Sequence, residues 1–135
     1  MLKNYTTKIS ALQTVGEIQG ILAAHGAKKI LIDFDNGHVM GINFFIDTAF
    51  GMRAFSLPAR VDAVAAALAK QGCKCDPQHA ENVAWRILKD WIVAQMAFIE
   101  SEQAALGEIF LPYMVNQNGD TLYNMLSNGQ LALPN

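Results

Sequence analysis

The run VAWRILKDWIVAQMAFIESEQAALGEIFLPYM, residues 83–114, constrains this chain more than any other segment. At ~100° per residue, Trp85, Leu88, Ile92, Met96, Ile99, Leu106 and Phe110 fall on one stripe of a helix. Ile87, Trp91, Ala94, Phe98, Ala105 and Ile109 form a second stripe beside it. Together they cover about 200°, twice the ~100° arc that a surface helix buries. A helix from about Gln78 to Leu106 is therefore expected to be covered twice, by its own sheet and by a second copy of itself. One stripe faces each, and the sequence does not say which. Gln95 and Glu102 project between the stripes, where a buried polar residue fixes register at some cost in stability. The expected seam comprises Trp85, Trp91, Gln95, Met96, Phe98 and Glu102. Two other readings place Gln95 and Glu102 on backbone of their own subunit, or in a mostly apolar ligand pocket.

Composition points the same way. Hydrophobic residues make up 52% of the 135 and charged residues only 16%, against a usual charged share of about 25%. Little polar material is left to cover a surface, and contact with copies of itself, as a dimer or larger, relieves the shortage. The length corresponds to one domain. No run approaches the ~18 apolar residues of a membrane span, and MLKNYTTKIS lacks the apolar stretch of an export signal. Cys73 and Cys75 are expected to be reduced thiols in a cytoplasmic protein.

The remaining elements follow from pattern. KNYTTKI (Lys3 to Ile9) reads as a short strand. TVGEIQGILAAHG reads as a helix with a Thr14–Glu17 capping box and a stop at Gly26. AKKILIDFDNGHVMGINFFIDT is a hairpin in which Ile30, Ile32 and Phe34 alternate on one arm and Met40, Ile42, Phe44 and Ile46 on the other. A three-residue loop, Asp35 to Gly37, puts both apolar sets on one face by pairing Phe34 with His38 and Ile32 with Met40. GMRAFSL continues the meander, and PARVDAVAAALAKQG is a helix with Val61, Val64 and Leu68 as its stripe. FLPYM is a turn, NQNGD a loop, and TLYNMLSNG a last short helix. The expected fold is α+β: an antiparallel sheet (strand, helix, three-strand meander) with helices on one face. Residues 1–71 form a sheet half, 72–79 a loop and 80–135 a helical half.

Charge is uneven. Residues 1–74 carry eight Lys/Arg against five Asp/Glu, and residues 75–135 two against seven. In this layout Lys28, Lys29, Arg53 and Arg60 gather around the sheet, interleaved with phenylalanines. Phe45 lies on the opposite face from Ile42 and Phe44, and is the residue placed to stack on a base. Cations beside an exposed aromatic on a sheet are how single strands are held.

Signals for catalysis and metal are absent or incomplete. ILIDFDNG resembles the Asp-x-Asp segment of haloacid-dehalogenase-type phosphotransferases. Those folds require a parallel sheet, whereas here the aspartates run into a hairpin turn, so Asp35 is read as a turn former. Cys73, Cys75 and His79 are soft-metal ligand types, but Cys-x-Cys with one histidine falls short of a four-ligand zinc pattern. No GxSxG, HExxH, P-loop or GxGxxG occurs. No enzyme activity, cofactor or metal is expected.

TVGEIQGILAAHGAKKI, FSLP, AWRILKDWIVAQMAFIE and FLPYM together resemble short uncharacterised proteins encoded by bacteriophages and other mobile elements. The resemblance covers most of the chain outside residues 72–79. It implies a genetic setting and no catalytic residues. The expected function is an oligomeric accessory protein that grips nucleic acid, single-stranded DNA or similar, with its basic sheet half. The alternative is a binder of a small ligand or of a host defence component, using Arg86 or Arg53 in a recessed pocket.

Overall fold

A computed structural model describes residues 1–74, 76–131 and Pro134. Helix α1 (Ala11–Ala24) leads into a three-stranded antiparallel meander, β1 (Lys29–Asp35), β2 (His38–Thr48) and β3 (Gly51–Pro58), in the order β1-β2-β3. Helices α2 (Val61–Lys70) and α3 (Pro77–Glu100) follow. Then come a short α4 (Leu106–Ile109), a 3-10 turn at Leu111–Tyr113, and α5 (Leu122–Ser127). The α+β class and the meander are as the sequence predicts. Among the described residues no helix is long and apolar enough to cross a membrane.

The core lies between α1, α3 and one face of the sheet. Ile18 and Leu22 of α1, Ile42 and Phe44 of β2, Phe55 and Leu57 of β3, and Trp85 and Ile92 of α3 are all buried in it. A second, smaller cluster joins Leu68 of α2 to Ala80 and Val83 of α3, with Val61 and Val64 packed against it. The Trp85 stripe is thus the one that faces the sheet. Trp91, on the other stripe, meets Phe110 edge-on at 5.4 Å and Tyr113 at 5.8 Å.

Four expectations are corrected. Residues 3–9 form turns instead of a strand. Asn4 is left-handed at φ 65 and its amide donates to Asp90 at 2.7 Å, while the Tyr5 carbonyl accepts from His79 Nε2 at 2.6 Å. These ties to α3 outweigh a weak β propensity. Second, α1 starts earlier: Ser10 is its cap, accepting from Gln13 N at 3.1 Å. Thr14 is buried on the α3 side instead.

Third, the hairpin has a two-residue turn, Asn36-Gly37, both left-handed (φ 50 and 79), so Asp35 pairs with His38 and Phe34 with Val39. A bulge at Met40 then shifts the register, so that Ile32 pairs with Ile42 and Ile30 with Phe44. The bulge achieves part of what the longer loop was expected to do: Ile30 and Ile32 share a face with Ile42 and Phe44, while Met40, the extra residue, and Phe34 stay exposed. Fourth, α3 ends at Glu100. Glu102 N donates to the Ile99 carbonyl and Gln103 N to the Phe98 carbonyl, with Glu102 left-handed at φ 64. This is a Schellman stop, built without glycine. The reversal carries Phe110 back to within 5.7 Å of Phe44 and 6.2 Å of Phe55. A helix running on to Leu106 would have taken it away from them.

At the helix ends, His25 caps α1 with Nδ1 2.8 Å from the Ile21 carbonyl and Nε2 2.7 Å from Glu100. Both partners are acceptors, so the doubly protonated ring satisfies both. The Ile21 carbonyl foremost, then Glu100, raise the His25 pKa against the opposing effect of burial. Such a group stabilises fully below its unfolded pKa, near 6.5, and the gain is lost as pH rises through the folded value. Glu17 lies on the acid side: hydrogen bonds from Lys89 and then Arg86 hold its carboxyl below the ordinary range. Its contribution is present above the unfolded pKa and lost as pH falls through the lowered one. The melting temperature is therefore expected to be highest between about pH 5 and pH 6.5. Thermal unfolding of His25→Gln should lose the decline on the alkaline side and keep the acid one.

Candidate functional site

The face of the sheet turned away from the helices is open to solvent. Its rows follow from the register: Lys29, Phe45 and Ala54 lie side by side, then Leu31, Asn43 and Ser56. Leu31 is exposed, and Asn43, Phe45, Ala54 and Ser56 are half-buried. Phe45 is therefore on the outer face, as the alternation predicts, with Lys29 as its neighbour on β1.

Of the four cations expected around the sheet, three lie toward one end of it. Lys28 N donates to the Phe45 carbonyl at 2.7 Å, and Arg53 pairs with Ile46, one row beyond Phe45. Lys28, Lys29 and Arg53 thus close one end of the sheet, with Asp47 as the acidic residue there. Arg60 lies beyond Pro58, the opposite end of β3, which is itself about 17 Å along the strand from Arg53 at ~3.4 Å per residue. It belongs to a different surface.

Beside Phe45 is an open hollow of about 530 Å³ between the sheet and the segment after the 3-10 turn. Phe45, Met52, Arg53, Asn116 and Gln117 are among its walls. That segment runs along β3: Phe55 bridges to Met114, and Val115 N donates to the Ala54 carbonyl at 2.9 Å. Asn116 is fixed by its own loop, its side-chain oxygen accepting from Asn118 N and Asp120 N. Sequence reasoning missed the 116–117 segment, because a bridge between residues sixty positions apart leaves no local signal. Phe45, Lys29 and the Gln117 side chain thus lie at one end of the open sheet face, with Lys28 and Arg53 at the same end of the sheet; Arg53, paired with the buried Ile46, leaves β3 on the other face and reaches the hollow from its rim. Such a set can stack on a planar base, neutralise phosphates and hydrogen-bond base edges.

Arg86 is not available to a ligand. Its Nη1 lies 3.0 Å from Glu17 and 3.3 Å from Thr14 Oγ1, and Lys89 completes the bridge from α3 to α1. The expected seam on α3 is also largely dismantled. Trp85 and Met96 are buried in the protomer's own core, and Glu102 lies off the helix. Trp91 and Gln95 are half-buried, and Phe98 alone of the six stays on the helix and exposed.

A second concavity, about 410 Å³, is a groove between the end of β3, α2 and α3. Its walls are apolar, including Leu57, Val64, Ile87 and Trp91, with Tyr113 and Arg60 as the polar members. The expected 72–79 loop is shorter, since α3 begins at Pro77 and takes in His79, and Cys75 lies outside the described residues. Cys73 is a free thiol, and His79 uses Nε2 to donate to the Tyr5 carbonyl. Among the described residues no cluster of three metal-ligating side chains occurs. Asp33 accepts from Asn43 Nδ2 at 2.7 Å, and Asp35 flanks the turn. These are hairpin roles.

No family model, no curated protein and no solved structure matches this chain.

Proposed function

We propose that this protein binds single-stranded nucleic acid, without chemistry of its own, across the sheet end bearing Phe45, as an accessory protein of a phage or mobile element. The observation that carries the reading is the row Lys29–Phe45–Ala54 on an open sheet face, flanked by Lys28 and Arg53 and by the hollow. Phe45 offers a stacking surface to any base, which gives affinity with little sequence preference. Lys28, Lys29 and Arg53 neutralise phosphates and release counterions. Gln117, in the wall of the hollow, offers its amide to the base edges of a stacked nucleotide, whereas the Asn116 amide is held within its own loop.

Anisotropy of a labelled oligonucleotide tests this. Three phosphate contacts give a salt slope of about −2 on single strands, so a fourfold rise in salt costs about fifteenfold in affinity. Reversing Lys28, Lys29 and Arg53 to glutamate should abolish both the binding and its salt dependence. Phe45→Ala should weaken binding by roughly 5- to 150-fold and leave the slope alone. Arg60→Glu, on a different surface, should change neither. Wild-type protein that retains no DNA or RNA at low salt would remove the proposal.

A second reading has its own observation in the apolar groove. Arg60 is the one charged residue of its lining. That chemistry suits a small apolar anion, or an apolar side chain beside a carboxylate on a host protein. Mass spectrometry of whatever co-purifies separates the two: an oligonucleotide supports the first reading, and a lipophilic acid lost on Arg60→Ala the second.

A further inference from the structure

We propose that two copies of this chain join through β1, antiparallel and centred on Ile32, to form one continuous six-stranded sheet. The sheet has two edges, and they are treated differently. The β3 edge is partly covered by the Met114–Val115 segment, which bridges Phe55 and bonds the Ala54 carbonyl. Among the described residues the β1 edge has no strand beyond it in the sheet order. It is seven residues long, KILIDFD, and contains no proline. The bulge that breaks its ladder with β2 is an extra residue in β2, so β1 itself alternates regularly throughout. Soluble proteins blunt such edges, because a regular edge of unpaired backbone groups is a template for another strand.

The sequence of β1 indicates which strand it fits. Two copies related by a twofold axis through the sheet keep the same faces together, so paired residue numbers must sum to an even value. Centring on Ile32 sets Ile32 against itself, Ile30 against the partner's Phe34, Leu31 against the partner's Asp33, and Lys29 against the partner's Asp35. The last pair occurs twice, with opposite charges. Shifting the centre to Asp33 sets Asp33 against its own copy, and like charges directly opposite repel. Shifting to Leu31 gives up pairing at Asp35 and opposes Lys29 to Asp33, which Asn43 already holds at 2.7 Å. The register on Ile32 alone uses all seven residues. It also covers exposed apolar surface: Leu31 is 58% and Phe34 57% accessible in the single chain. In this chain of few charges, Lys29 and Asp35 both discourage stray partners and select the self-complementary one.

The test is a charge swap read by analytical ultracentrifugation, with circular dichroism confirming the fold. Wild type should sediment as a dimer at micromolar concentration. Lys29→Asp, and separately Asp35→Lys, should each raise the dimer dissociation constant about tenfold or more, since two attractive pairs become repulsive. Lys29→Asp combined with Asp35→Lys should restore the dimer, whereas Phe98→Lys should leave it unchanged. A wild type that is monomeric at every concentration overturns the proposal. So does a swapped double variant as weak as the singles, or a dimer dissolved by Phe98→Lys. None of these outcomes depends on nucleic acid.

Discussion

Met96→Lys is expected to leave no folded protein at ordinary temperature, whereas Phe98→Lys should melt within a few degrees of wild type. The two positions are two residues apart on α3 and lie on the two different stripes of the sequence pattern. Met96 is 3% exposed and packs in the cluster that holds Ile92, Trp85 and the sheet. Lysine there loses the packing of a buried side chain, about 2–5 kcal/mol. It also strands an ammonium, which must deprotonate or tear the site open, at several kcal/mol more. A domain of this size has only ~5–15 kcal/mol in total. Phe98 is 41% exposed, and a lysine there keeps its head in water. Urea unfolding of the two variants checks the difference, and equal losses would mean that the assignment of the two stripes is wrong.

That pair also shows what the sequence carried and where it stopped. Periodicity placed the apolar stripes, and they are real, because side-chain direction on a helix follows from spacing alone. Which stripe met the sheet was not legible, since both are equally apolar. Nor was the fact that one chain covers the first stripe and the Ile87–Trp91 end of the second, leaving Ala94 and Phe98 exposed. Cover for the second stripe comes from α2 and from Phe110 and Tyr113, residues returned to it by the stop at Glu102. Glutamate in a left-handed position carries no signal of the kind glycine would have given. The Thr14–Glu17 spacing misled for a related reason. Residues three apart share a helix face, and here that face meets Arg86 and Lys89. The candidate site was half legible. Alternation put Phe45 on the outer face and Lys29 with it, while the placement of Arg60 and of the 116–117 segment depended on where the strands end.

The residue that most exceeded its sequence signal is Glu81. It is 4% exposed near the start of α3, where a carboxylate in an apolar setting needs partners. It accepts from Val39 N at 2.7 Å and meets His38 Nδ1 at 3.1 Å. One turn later, Trp85 Nε1 donates to the Val39 carbonyl at 3.2 Å. Both backbone groups of Val39 are thus held by α3, beside the bulge at which the hairpin changes register. Glu81→Ala should cost about 1–3 kcal/mol, since it leaves the Val39 N–H buried and unpaired. Glu81→Gln keeps an acceptor and should cost less. Trp85→Phe removes the indole donor, and its loss should be of similar size to that of Glu81→Ala. The two bonds fix one residue from opposite ends, so once one is cut the other no longer holds a defined geometry. The double variant is therefore expected to lose less than the sum of the singles, with a coupling of at least ~0.5 kcal/mol. Urea denaturation of the four proteins measures this cycle. Strict additivity would mean that the bulge is set by the Asn36-Gly37 turn alone, with α3 merely resting against it.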